Sequence, residues 1–252
     1  MSFVLDDFIM LGRTEPVESK KHGMSICAAG YSPTHRKLFR IYPLPFPNYV
    51  RAGTVCRIPL RRPKGDSRIE SWRIDAGETA QEALAAITEF GTVELSKYFD
   101  VFKSMAMPSI HEANNAKPDK LSLAFIEPKG MAWEFGRREN VDPAEQMTLW
   151  DRVDPGGELH KSDLLPYLHF EDEDGKHRLQ IKEWGCVQWL VKQRENAGQL
   201  WDNLRFTDPD YRHLLLVGNQ NNQRTSWLII KTFSVRKTNQ QSLNFFGEEQ
   251  AA

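Results

Sequence analysis

A chain of 252 residues with 40% apolar content is long enough to bury one large core or two small ones. A net charge of −1, with a pI near 6.7, excludes a wholly electrostatic, histone-like nucleic-acid binder, so any basic patch has to be local. No run approaches eighteen apolar residues, MSFVLDDFIM has no basic segment ahead of a long apolar one, and Cys27, Cys56 and Cys186 are odd in number and far apart. The expectation is a cytoplasmic protein with reduced thiols and no membrane contact.

Taken in order, the first element is a short apolar strand at Phe8-Ile9-Met10-Leu11, followed by a loop over residues 15–22. Residues 24–30 (MSICAAG) and 37–42 (KLFRIY) are strand-like runs around Ser32-Pro33-Thr34-His35, which predicts a hairpin. Pro43, Pro45 and Pro47 stop the strand, because each removes a ladder donor. Residues 55–60 and 68–74 resume extended patterns, so the N-terminal third is mostly β. Thr79-Ala80-Gln81-Glu82 fits a capping box, with Ala83, Leu84, Ile87 and Phe90 as the expected buried stripe and Gly91 as the stop. A second helical piece falls near residues 96–105, and residues 107–118 read as a mobile connection. Residues 121–126 and 131–135 flank Pro128-Lys129-Gly130 as a further hairpin. Asp142 with Pro143 predicts a short helix to about Trp150, and Asp154-Pro155-Gly156-Gly157 marks a subdomain boundary.

Residues 165–182 (LPYLHFEDEDGKHRLQIK) hold two period-2 runs that meet at Asp174-Gly175, a tight-turn dipeptide. Trp184, Val187, Leu190 and Val191 then recur at helical spacing, and residues 212–217 and 226–233 pair around the turn cluster at Gly218 to Asn222. The expected architecture is α+β. Residues 1–154 form a β-rich half, as a small barrel or twisted antiparallel sheet, residues 155–233 a hairpin-helix-hairpin unit packed on it, and residues 234–252 a disordered tail.

The segments YLHFEDEDGKHRLQIKEW and LLLVGNQNNQRTSWLIIKTF, with SKKHGMSICAAG, RIYPLPF and RIESWR before them, resemble a family of functionally uncharacterised bacterial proteins. The likeness covers residues 18–74 and 163–233 and extends only loosely over 75–162. It implies a place beside DNA-modification genes of the 7-deazaguanine type or phage-defence genes. In the tail, Gln240-x-x-Leu243-x-Phe245 is similar to the short peptides that dock on the bacterial sliding clamp, and a loosely packed terminus is the plain alternative.

Between Arg57 and Arg73 stand six basic residues (Arg57, Arg61, Arg62, Lys64, Arg68, Arg73) against Asp66 and Glu70. Guanidinium forks on strands suit phosphate contacts, and Trp72 among them offers a surface for a base. The same segment also reads as a salt-bridged edge strand with Trp72 in the core. Lys20 and Lys21 precede the Cys27 strand and Arg40 lies on its hairpin partner, a cationic setting that would favour a thiolate at Cys27. A small thiol in Ser25-Ile26-Cys27-Ala28-Ala29 equally packs as a hydrophobe. His160, His169 and His177 and the lone cysteines supply no metal-ligand spacing, and no phosphate-cradling or nucleophile-elbow motif is present, so neither metal nor cofactor is expected.

These readings converge on a nucleic-acid-directed protein of a bacterial DNA-modification or defence system, with DNA or RNA as partner. Lys20, Lys21, Arg40, Arg57, Arg61, Arg62, Arg68, Trp72 and Arg73 would grip the polyanion. If it is an enzyme, the genomic setting implied by the resemblance suggests a cofactor-independent hydrolase or hydratase acting on the nitrile of 7-cyano-7-deazaguanine in DNA. Cys27 would attack the nitrile carbon to form a thioimidate, and Glu70 or Asp75 would activate water. The alternative is a non-catalytic nucleic-acid-binding or scaffold subunit of a defence complex.

Overall fold

Phe8-Ile9-Met10-Leu11 is apolar at every position, and a strand of that kind needs cover on both faces. The computed structural model, which describes residues 2–19, 23–46, 50–77, 79–138, 162–221 and 223–237, supplies it. Strand β1 (Ser2–Arg13) pairs antiparallel with β3 (Gly23–Ser32) on one side and β5 (Thr54–Arg61) on the other. Its Phe8 and Met10 pack with Ile26, Ile41, Cys56 and Ile58 inside a barrel, while Ile9 and Leu11 face outward onto Tyr31, Phe102, Phe125 and Leu214.

Strand β4 (Lys37–Pro45) pairs with β3 and runs parallel to β6 (Ser71–Ile74), and β6 pairs with β5, which closes five strands into a barrel. Two short strands extend it, β2 (Val17–Ser19) on β3 and β7 (Thr88–Thr92) on β5. The small barrel is thus the form the β-rich N-terminal half takes. Close approach of β1 and β3 depends on Gly30, where a Cβ would lie 2.2 Å from the Phe8 ring.

Helix α1 (Ala80–Ala85) has the expected capping box: Glu82 N donates to Thr79 Oγ1 at 3.2 Å, and Thr79 N donates to Glu82 Oε2 at 2.9 Å. It ends early and buries no residue, and Phe90, expected on its buried stripe, is 61% exposed. Pairing with β5 draws residues 88–92 into a strand and takes Phe90 out of helical register.

A second sheet has the order β14-β13-β9-β8, from β14 (Trp227–Arg236), β13 (Tyr211–Asn219), β9 (Leu123–Ile126) and β8 (Ala106–Met107). Like β1, β13 is buried on both faces: Leu214 and Leu216 meet the barrel side, Leu215 and Val217 the far side. Short helices α2 (Phe99–Ser104) and α3 (Ile110–Asn115) lie beside this sheet. The third layer holds the sheet β10 (Lys129–Arg137), β11 (Leu164–Asp172) and β12 (Gly175–Gln180), with helices α4 (Trp184–Lys192) and α5 (Gln199–Asn203).

The hairpin, helix, hairpin order of the C-terminal part is therefore present as β11–β12, α4, β13–β14. Two details depart from expectation. The β11–β12 register pairs Asp172 with Gly175, which moves the turn one residue back to Glu173-Asp174, and the buried face carries Leu168 and Phe170. Residues 121–126 and 131–135 form no hairpin, because β9 pairs with β13 and β10 with β11. The boundary at residues 154–157 lies outside the described residues, and both C-terminal sheets recruit strands from before it. The helix expected at residues 142–150 also lies outside the described residues. Among the described residues no helix is long and apolar enough to cross a membrane.

Candidate functional site

The arginines expected to form one basic surface divide into two groups. Arg57, Arg61 and Arg73 share the outer face of β5 and β6, Arg61 directly opposite Arg73. Arg57 pairs with Asp6 at 3.0 Å and Arg61 with Asp75 at 3.5 Å, so two of the three charges on this face are compensated and Arg73 alone is not. Asp75, a candidate water activator, is thereby committed to an ion pair. Arg40, Arg62 and Arg68 instead donate hydrogen bonds within the fold.

Arg68 is buried, holds Asp66 through Nη2 at 2.6 Å, and donates from Nη1 to the Asn219 carbonyl at 2.9 Å. Burial pushes the Asp66 carboxyl up, but hydrogen bonds from Arg68 outweigh that and hold it below its ordinary value. Arg62 donates to the carbonyls of Ile69 at 2.6 Å and Ser71 at 3.2 Å, with its guanidinium 3.9 Å above the Trp72 ring. Trp72 is only 7% exposed and packs against Phe3, so the expected free stacking surface is part of the core, capped by a cation.

Arg40 is 3% exposed. It donates from Nη2 to the Ser122 carbonyl and from Nη1 to Cys27 Sγ at 3.5 Å, and burial holds its guanidinium below the ordinary pKa. That reach depends on Gly218, where a Cβ would stand 2.9 Å from Arg40 Nη2. Beside it Glu70 accepts from Ser122 N at 2.9 Å and Ser122 Oγ at 2.7 Å, which uses both carboxylate oxygens. Cys27, Arg40 and Glu70 are therefore gathered, as the sequence suggested, but as a clasp between barrel and β9. Cys27 lines neither of the two clefts described next, whereas Glu70 lines the larger one with both carboxylate oxygens already accepting from Ser122. Lys20 and Lys21, and the tail positions Gln240, Leu243 and Phe245, lie outside the described residues.

Where the barrel meets β8 and β9 a cleft of about 650 Å³ opens, within the range of about 300–1,000 Å³ usual for ligand sites. Phe39, Trp72, Leu123 and Phe125 line it, and Phe3 and His35 stand edge-on to each other at 6.2 Å between ring centroids. His35, Arg36 and Lys37, all exposed on the β3–β4 turn, form one rim, and Arg62 lies opposite over Trp72. Among the described residues neither Arg36 nor Lys37 has a carboxylate partner, so these two cations at the cleft, like Arg73 on β6, are free of ion pairs. Asp7 fixes the turn, accepting from Ser32 Oγ at 2.6 Å and Thr34 N at 2.7 Å.

A smaller polar lobe of about 250 Å³ adjoins it, sharing Ile69, Asp119 and Leu121 as a common wall. Ser67, Arg224 and Asn219 line this lobe, with Arg224 Nη2 donating to Ser67 Oγ at 2.7 Å. Asn219 is 3% exposed, yet its side-chain Oδ1 has no hydrogen-bond partner, an arrangement that costs on the order of 1–3 kcal/mol unless something supplies the missing donor.

Residues 6–94 match a domain of unknown function, DUF8758. The match runs from β1 past β7, so it holds the barrel, the cationic turn and the 66–72 wall of the cleft, but not β9 opposite. None of the curated proteins matches the chain in sequence. Among solved structures, the crystal structure of the tetrameric p202 HIN2 is similar at 8% identity and a TM-score of 0.32, over 94% of this chain and 95% of that one. A likeness of that size carries no argument.

Sequence reasoning missed Phe3, His35, Arg36 and Lys37 on one lobe and Asn219 and Arg224 on the other. One signal was present: His35, Arg36 and Lys37 stand in a row where the predicted turn meets the predicted strand at 37–42.

Proposed function

We propose that this protein binds nucleic acid without altering it, holding one unpaired DNA base in the aromatic cleft and the adjoining phosphate on Arg36 and Lys37. The reading follows the expected association with a bacterial DNA-modification or defence system, in its non-catalytic form. One observation carries it: the half-buried Phe3 ring, the exposed His35 ring and two cations without an ion pair among the described residues border the same apolar cleft. A base against Phe3 and His35 would gain about 1–3 kcal/mol from stacking, and the Arg62 guanidinium adds a planar cation. Two or three phosphate contacts are all the rim can make, which suits a chain of net charge −1.

Hydration of a nitrile on a modified base receives no such support, since Cys27 lines neither lobe and Glu70 and Asp75 are both engaged. The test is a salt titration of single-stranded oligonucleotide binding. The expected slope of log affinity against log salt is shallow, about −1.4 to −2.1, and Arg36→Ala with Lys37→Ala should flatten it by about 1.4. Absence of binding at low salt would remove the proposal.

A further inference from the structure

We infer that the polar lobe reads the edge of the bound base and selects guanine, with Asn219 as the specificity-determining residue. The inference rests on the base-holding reading above and adds what that reading leaves open, the identity of the base. The two lobes share Ile69, Asp119 and Leu121, so a ring seated on the aromatic side presents an edge toward the polar side. That side offers two kinds of acceptor, the unpartnered and buried Oδ1 of Asn219 and the carboxylate of exposed Asp119. It also offers donors, the guanidinium of Arg224 and the ammonium of Lys120.

Guanine carries two neighbouring N–H donors, at N1 and at the 2-amino group, beside an O6 acceptor that suits a cation. Thymine has a single ring N–H, and adenine presents one amine with no carbonyl oxygen. Two acceptors beside two cations therefore complement guanine best. Asn219 is well placed for such a role because its main chain is already committed, N–H to the Ser122 carbonyl at 3.0 Å and C=O to Arg68 at 2.9 Å. Its side-chain amide, with the unpartnered Oδ1, is left for a ligand.

The test uses the full chain and short dye-labelled oligo-dT carrying at its centre a single dG, dI, dA or dT, with affinity read by fluorescence anisotropy. The expected order is dG tightest, at least about tenfold over dA and dT, with dI between them because it lacks the 2-amino group. Asn219→Ala should bring the dG preference close to unity, read as the ratio of dG to dT affinities within the same variant. Arg224→Gln, a change at a half-exposed side chain, should reduce the preference even if the Asn219 variant folds poorly. Equal binding of all four oligonucleotides overturns the guanine assignment alone. A dG preference that survives both substitutions overturns the role of this lobe, and no binding of any oligonucleotide at low salt removes the base-holding reading itself.

Discussion

Arg62 lies flat over Trp72, its guanidinium carbon 3.9 Å from the ring centroid, and spends its hydrogen bonds on the carbonyls of the 68–71 turn that carries Glu70. One exposed side chain thus shields the tryptophan and holds the wall of the cleft. Arg62→Ala should cost about 1–2 kcal/mol, from the lost cation–ring contact and the carbonyls left to water. Tryptophan emission should shift to the red and become more accessible to acrylamide. An unchanged spectrum would mean the wall stands without it.

The clasp between barrel and β9 predicts a larger effect. Glu70→Ala leaves the Ser122 N–H without its partner and removes a negative charge from beside buried Arg40. The expected loss is about 3–5 kcal/mol in urea unfolding, the usual scale for breaking a buried charged network from one side. Glu70→Gln keeps an oxygen for the Ser122 N–H and should lose less.

Thiol chemistry separates the three cysteines. Burial, with the charge of Glu89 added, pushes Cys56 up to about 12, and burial with Glu183 pushes Cys186 well above its ordinary value. Neither will react at neutral pH in the folded protein. A thiol reagent should therefore label Cys27 alone, and Cys27→Ala should abolish native labelling while binding of oligonucleotides persists. Loss of binding in that variant would revive a direct role for the thiol.

Stability should also depend on pH through His213. Burial, together with the charge of Lys237, holds His213 below its ordinary value, with Asp208 opposing. The unfolded chain therefore takes up the proton first as pH falls. The His213 contribution is complete above the unfolded value of 6.5 and is lost as pH drops from there through the folded one. Urea midpoints at about pH 7.5 and about pH 5.5 should differ less for His213→Gln than for the natural chain.

Local signals in the sequence were strong where backbone chemistry decides the outcome. The Thr79–Glu82 capping box, the β3–β4 and β11–β12 hairpins and the helix at Trp184 all form close to where spacing puts them. Pairing partners were not legible, since the run at 121–126 carries no mark that says it will join β13 rather than its neighbour. Charge was legible as composition but not as geometry. Arg68 and Arg40 look like phosphate ligands in the sequence, and only the fold shows them bound to Asp66, Asn219 and Ser122. The cleft itself arises from residues as distant as Phe3 and Phe125, which no local pattern connects.

The outward face of the barrel has a consequence for any protein built around that module. Ile9, Leu11 and Tyr31 are covered here by β9, β13 and β14, which come from beyond residue 94. A chain that kept the module and discarded the rest would show water an oily flank, so each such chain must bring its own cover. Whatever cover it brings also becomes the opposite bank of the cleft.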